Sequence, residues 1–424
     1  MKLATFTRGG RTSIGVVDTA RGQVLDLAEA SRVVSGEAYS CFASMLALID
    51  SAGPGLERAR KLAAQWPTGA ALALDSVRLL APIPEPRQMR DCLTFELHLR
   101  NAMAQAEKRS GIKRPFPEVW YQQPIYYKAN RFSFIGHETD VVWPAYSQWM
   151  DYELELACVI GKTGKDIAKE KAKEHIFGFT IFNDFSARDA QIAEMAAQLG
   201  PAKGKDFDTG NALGPWIVTL DEIGDRHTLA MDARVNGERW GGGNSGQMHH
   251  KWPAVLAHIS ASETLYAGEV IGSGTVGTGC GLEIGASFSM ATSSSSRSRR
   301  SACCATRSCA RSHPAVPPAP TSVKRRCIGP CAGCTNAAFC AQASSAALCP
   351  PWVDFVAEVG DRKGAKGRDE GLKAPGCRAP REDGGCGTLT PTHATLTQRT
   401  PRSVAAIWRR TSQGDAGSGR WPPE

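Results

Sequence analysis

Residues 151–160 read DYELELACVI, and residues 176–184 read IFGFTIFND. The first stretch alternates for most of its length. Tyr152, Leu154, Leu156 and Cys158 point to one side of a strand, and Glu153, Glu155 and Ala157 point to the other. The second stretch is apolar on both faces, the pattern of a fully buried strand. With the amphipathic helices expected over 186–200 and 252–263, these strands predict a compact α+β domain.

Glu153 and Glu155 are the strongest chemical signal. At i and i+2 on a strand the two carboxylates project side by side, about 7 Å apart at the backbone. On a sheet with one wet face such a pair is merely solvated. On a buried strand the like charges must be neutralised, and a hard divalent cation does so through carboxylate oxygens. Asp184 ends the next apolar strand, and Asp91 stands seven residues before His98.

On either side of this core the chain changes character. Residues 1–80 hold short strand-like runs (KLATFT, SIGVVDT, QVLDLA) and an apolar helical stretch over 43–49, a small N-terminal domain without catalytic spacing. The Pro-rich segment 81–88 reads as a linker. The catalytic domain is expected over 86–290. Within it Ser186 is the expected N-cap of a helix running to Gly200, with Asp189 at N3. Residues 265–277 read as strand, turn, strand and Gly-rich loop. After Met290 no helical or strand period is legible, and residues 291–424 are expected to be disordered. Back-translated with GC-rich codons, residues 290–307 read in another frame as an acidic, alternating pair of strands joined by a turn. A shift of reading frame near Met290 accounts for such a tail, and it leaves open that the chain is an inactive, truncated product.

Composition sharpens the division. The 424 residues carry a formal charge of +8 and 14 cysteines. Residues 291–424 hold 20 Lys and Arg against 9 Asp and Glu, while residues 1–290 hold 30 against 33. Only Cys41, Cys92, Cys158 and Cys280 precede the tail. The basic runs lack an aromatic platform or folded motif, so no nucleic-acid partner is expected. Cys331 and Cys334 form a lone pair without a second, which argues against a zinc finger. The Gly272–Gly277 run fits a dinucleotide fingerprint, but TGCGLEIG does not read as the helix such a site needs. No apolar run is long enough to span a membrane. The opening MKLATFTRGG has no secretory apolar region, so a cytoplasmic protein is expected.

The set RDCLTFELH (90–98), DYELELACVIGK (151–162), IFNDFSARDAQ (181–191), GPAKGKDF (200–207), LGPWIVT (213–219) and GSGTVGTGCGLEIG (272–285) resembles the fumarylacetoacetate hydrolase family over roughly residues 86–285. The resemblance implies a mixed β-sheet roll, preceded by the small N-terminal domain. It implies metal ligands at Asp91, Glu153, Glu155 and Asp184, holding Mg²⁺ (or Ca²⁺ or Mn²⁺). His98 matches the family's water-activating histidine, Glu283 its orienting acid and Lys205 its catalytic lysine. Gln191, Tyr127 and Thr275 match substrate-contact positions. Met195 stands where founding members place a tyrosine, a departure that bears on substrate identity. The implied reaction is hydrolysis of a carbon–carbon bond in a small 1,3-dicarbonyl or 2-oxo acid. Decarboxylation, isomerisation and sugar-acid dehydration are alternatives at the same site, and a homodimer is the usual assembly.

Overall fold

The computed structural model describes residues 1–224 and 228–288 and the strands Cys304–Cys309 and Trp352–Glu358. A mixed sheet of twelve strands organises it. Ten of them, in chain order, are β1 (Lys2–Arg8), β2 (Arg11–Asp18), β3 (Gln23–Asp26), β4 (Ala71–Ala73), β5 (Met89–Cys92), β6 (Tyr126–Ala129), β7 (Leu154–Ile160), β8 (Ile176–Asp184), β9 (Asn211–Thr219) and β10 (Val270–Gly272). Their spatial order is β4-β3-β2-β1-β9-β8-β7-β10-β5-β6. The N-terminal strands thus continue the central sheet through the antiparallel pairing of β1 with β9. Strands β10 and β5 run parallel, and β7 is antiparallel to both of its neighbours.

The two quoted stretches form β7 and β8, and every residue in both strands is buried. The wet-face alternative for β7 therefore does not apply. Leu154, Leu156, Cys158 and Ile160 enter one hydrophobic core, whereas Ala157 and Val159 enter another. That second core also contains Leu3, Ile14, Leu25 and Leu48 of the N-terminal segment. A strand covered on both faces leaves carboxylates nowhere to meet bulk water, so a charged Glu155 needs a compensating partner.

Three expectations change in detail. Segment 81–88 is irregular but packed: Ala81 and Ile83 are buried, and the Pro82 carbonyl accepts from Thr5 at 2.6 Å. The helix expected from Ser186 begins two residues later. Ser186 and Ala187 form a short strand paired with Met150–Asp151, so Ser186 is held by a ladder rather than acting as a cap. That helix runs Arg188–Met195 and stops before Gly200. The Gly-rich loop after β10 does lead, past Cys280, into a single turn of helix at Gly281–Ile284.

The tail expected over 291–424 lies outside the described residues except for its two strands. These join Ala230–Val235, Glu238–Asn244 and Asp140–Val142 in a five-stranded sheet. The run WVDFVAE is rich in β-branched and aromatic residues, which suits a strand. Phe182 of β8 is fully buried between neighbouring strands. Its replacement by Ala should cost about 3–5 kcal/mol, read as a lowered denaturant midpoint at unchanged slope.

Candidate active site

The order β8-β7-β10-β5 sets three acids beside one another. Asp184 ends β8, Glu155 is the second residue of β7, and Asp91 lies on β5. Gly272 of β10 pairs with Ala157 on one side and Asp91 on the other. A Cβ at Gly272 would collide with Asp91 Oδ1 and stand 2.8 Å from Glu155 Oε2. Glycine is therefore what lets the two carboxylates lean together over β10.

Oxygens of Asp91, Glu155 and Asp184 lie within 4.8 Å of one another, and all three residues are buried. Asp91 Oδ1, Glu155 Oε1 and Asp184 Oδ1 receive no hydrogen bond from an N–H or hydroxyl group among the described residues, and the Asp91 and Glu155 carboxyls lie close enough to share a proton. Orphaned buried carboxylate oxygens are costly unless a proton or a cation satisfies them. Burial raises Asp91 to about 6 and Asp184 to about 8, even though Lys205 lowers both. Burial and the adjacent Asp91 charge push Glu155 well above the usual carboxylate range. Three hard oxygen donors converging in a dry cradle fit a divalent cation.

Glu153 stands outside this trio. Its Oε2 accepts from Lys205 Nζ at 2.5 Å, and its Oε1 meets Arg188 at 2.7 Å. Burial alone would raise its pKa, but the Lys205 and Arg188 charges hold it below the usual range. Lys205, itself buried, also donates to Asp184 Oδ2 at 2.5 Å, and Tyr127 donates to the same oxygen at 3.1 Å. Arg188 makes two further bonds to Asp151 Oδ2, at 2.7 and 2.9 Å, and one to Gln191 Oε1 at 2.9 Å. Asp151 in turn accepts from the backbone N–H groups of Gly281 and Leu282 at 2.8 Å, which fixes the start of the short helix. Arg188 and Asp151 lie inside the quoted motifs, and the signal for them in the sequence is a full charge within one or a few residues of a strongly apolar strand.

The short helix carries Glu283 to His98. His98 Nδ1 lies 2.8 Å from Glu283 Oε1, and Oε2 of the same carboxylate accepts from Asn101 at 2.9 Å and from the Thr278 N–H at 2.8 Å. Burial would raise the Glu283 carboxyl, but these bonds hold it below its usual range. In the tautomer that donates Nδ1–H to the Glu283 carboxylate, Nε2 is the acceptor nitrogen of His98. Glu96 turns away to Arg100 and Tyr121. The two halves of the site meet through the antiparallel bridge between Glu153 and Cys280. Thr275 is buried in the loop after β10, and Met195 is 55% exposed at its helix end.

A family profile described as fumarylacetoacetate (FAA) hydrolase C-terminal matches residues 91–306. The chain belongs to the fumarylacetoacetate hydrolase family. A human mitochondrial oxaloacetate tautomerase is 38% identical over 216 residues, 51% of this chain and 63% of that protein. The chain thus spans less than two thirds of this relative's length. An oxaloacetate tautomerase of Bacillus subtilis is 32% identical over 65% of this chain and 88% of its own. The solved structure of a Sphingobium maleylpyruvate hydrolase in complex with manganese (II) ion and pyruvate is similar at TM-score 0.50 and 27% identity, covering 66% of this chain and 90% of that one. The family's enzymes include hydrolases, isomerases and tautomerases. Among the described residues no helix is long and apolar enough to cross a membrane.

Two outcomes test the cradle. In the metal-free protein the raised carboxylates hold protons that the unfolded chain has lost. Their stabilising contribution is complete at the acid end and disappears as pH rises through about 6 for Asp91 and about 8 for Asp184. Glu153, shifted the other way, stays ionised throughout that window. The melting temperature of metal-free protein should therefore fall from pH 5 to pH 8, and saturating Mn²⁺ should lift it most at pH 8. Gly272→Ala should weaken Mn²⁺ binding by about 10–100-fold, measured by calorimetric titration.

Proposed function

We propose that the chain catalyses proton transfer on a small 2-oxo diacid of the oxaloacetate class, interconverting its enol and keto forms. The observation that carries this reading is the His98–Glu283 pair beside the Asp91–Glu155–Asp184 cradle. Tautomerisation needs one group to take a proton from the enol hydroxyl or from carbon and return it elsewhere. His98, held in one tautomer by Glu283, offers Nε2 for that purpose.

The cradle would hold the divalent ion, Mg²⁺ or Mn²⁺, which supplies a Lewis acid that polarises the oxygens of a 2-oxo acid. Lys205 and Arg188, balanced by Glu153 and Asp151, set fixed cationic donors along one wall of the site. Charge developing on an enolate oxygen near that wall meets fixed, desolvated donors, where each is worth more than in water. Gln191 is set by its bond to Arg188, and Tyr127 by its bond to Asp184, as side chains for the distal part of the substrate.

Hydrolysis of a carbon–carbon bond is the second reading. The likeness to a maleylpyruvate hydrolase, over 90% of that chain, favours it. The same base then acts on water, and the enolate becomes the leaving group. A cytoplasmic homodimer belongs to this proposal as well.

A substrate panel separates the two reactions: enol-oxaloacetate followed through loss of its enol absorbance, and acylpyruvates followed through release of pyruvate. Enol loss with no new carboxylic acid supports the tautomerase. Acylpyruvate cleavage at the higher kcat/KM would replace it with the hydrolase. In either case His98→Gln should lower kcat by about 10²–10⁴-fold, while Glu283→Gln lowers it less and flattens its pH dependence. A His98→Gln enzyme with undiminished turnover would remove the base assignment.

A further inference from the structure

Cys280 brings a thiol to the His98–Glu283 pair. Its Sγ lies 3.4 Å from Glu283 Oε1 and 3.9 Å from His98 Nδ1, and the two partners are 2.8 Å apart. All three residues are buried. Two parts of the fold supply them: His98 comes from helix Glu96–Ser110, while Cys280 and Glu283 are the N-cap and third residue of the short helix Gly281–Ile284. We propose that this trio is a second metal site, selective for a borderline-soft cation such as Zn²⁺, and that its occupation switches the enzyme off.

Zn²⁺ takes tetrahedral sulfur, nitrogen and oxygen donors at about 2.0–2.3 Å. At those lengths the edges joining the donors are about 3.3–3.6 Å. The observed triangle of 2.8, 3.4 and 3.9 Å straddles that range. Small side-chain rotations would equalise it without moving the backbone. Three protein donors leave a fourth position for water or a small ligand. The Asp91–Glu155–Asp184 cradle offers only carboxylate oxygen, the donor set of Mg²⁺ or Mn²⁺. Donor type therefore sorts the ions: hard cations go to the cradle and thiophilic ones to the trio.

Binding displaces the Cys280 thiol proton to solvent. Coordination through Nδ1 requires the ring proton to sit on Nε2, the atom that must stay free to accept one. The Glu283 bond that orients the ring is lost in the same event. The inhibitory consequence rests on the reading of His98 as the base, whereas the binding itself does not.

Co²⁺ serves as the probe, because a thiolate ligand gives it a sulfur-to-metal charge-transfer band. Full-length protein with the cradle saturated by Mg²⁺ is titrated with Co²⁺ and then with Zn²⁺. Ten cysteines follow Met290, so the quantity read is the difference between proteins. Wild type should bind one more ion per chain than Cys280→Ser, Cys280→Ala or His98→Gln, and the Cys280 variants should lose part of the band. Zn²⁺ added to active, Mg²⁺-loaded wild type should abolish turnover reversibly on chelation. Equal stoichiometry and equal band intensity across wild type and all three variants would overturn the site. Binding as expected without inhibition would leave the site standing and overturn the switch together with the role of His98.

Discussion

Three buried carboxylates drawn within 4.8 Å of one another repel, and much of the architecture can be understood as what makes that arrangement tolerable. Like charges so close in a dry interior cannot all ionise unaided. The sheet supplies the rigidity: Glu155 and Asp91 sit on the two strands that flank Gly272, where no Cβ stands between their carboxylates, and Asp184 ends the strand on the other side of Glu155's. Lys205 supplies part of the compensation by bonding Asp184 and Glu153 together. What remains is three oxygens that receive no N–H or hydroxyl hydrogen bond among the described residues, a donor set that fits a divalent cation.

The ion-paired wall follows from the same constraint. Glu153, two residues from Glu155, would add a fourth negative charge to the cradle. It is instead held by Lys205 and Arg188, and Arg188 is fixed by Asp151. Asp151 anchors the helix that carries Glu283, and Glu283 orients His98. One set of buried ion pairs and hydrogen bonds therefore links the cradle, through the short helix, to His98. Breaking one member of such a chain leaves another buried charge alone, which is far more damaging than loss of an exposed pair.

Much of this was legible in the residues. The alternation of DYELELACVI and the apolar run of IFGFTIFND mark the two central strands, and an acid at the end of an apolar strand marks Asp184. Spacing alone places Glu153 and Glu155 on one face, but it does not say which of them meets a cationic side chain. Arg188 and Lys205 arrive from later elements, and only their approach separates the two glutamates. Likewise the contact between His98 and Glu283 spans 185 residues. The family resemblance, not any local pattern, pointed to it. Ser186 read as a helix cap because Asp189 follows at capping spacing. The ladder with Asp151 took precedence, and Asp189 instead accepts from Ser147 and Gln148.

The central claim is that the Asp91–Glu155–Asp184 cradle holds a divalent ion essential to catalysis. Titration of the full-length, metal-free protein with Mn²⁺, with free ion followed by electron paramagnetic resonance, addresses it most directly when wild type is compared with Glu155→Gln. The account predicts that wild type takes up one Mn²⁺ per chain at this site and gains activity in step with it. Glu155→Gln should lose both the ion and the activity. Equal Mn²⁺ uptake by the two proteins, or full turnover by metal-free wild type, would contradict it.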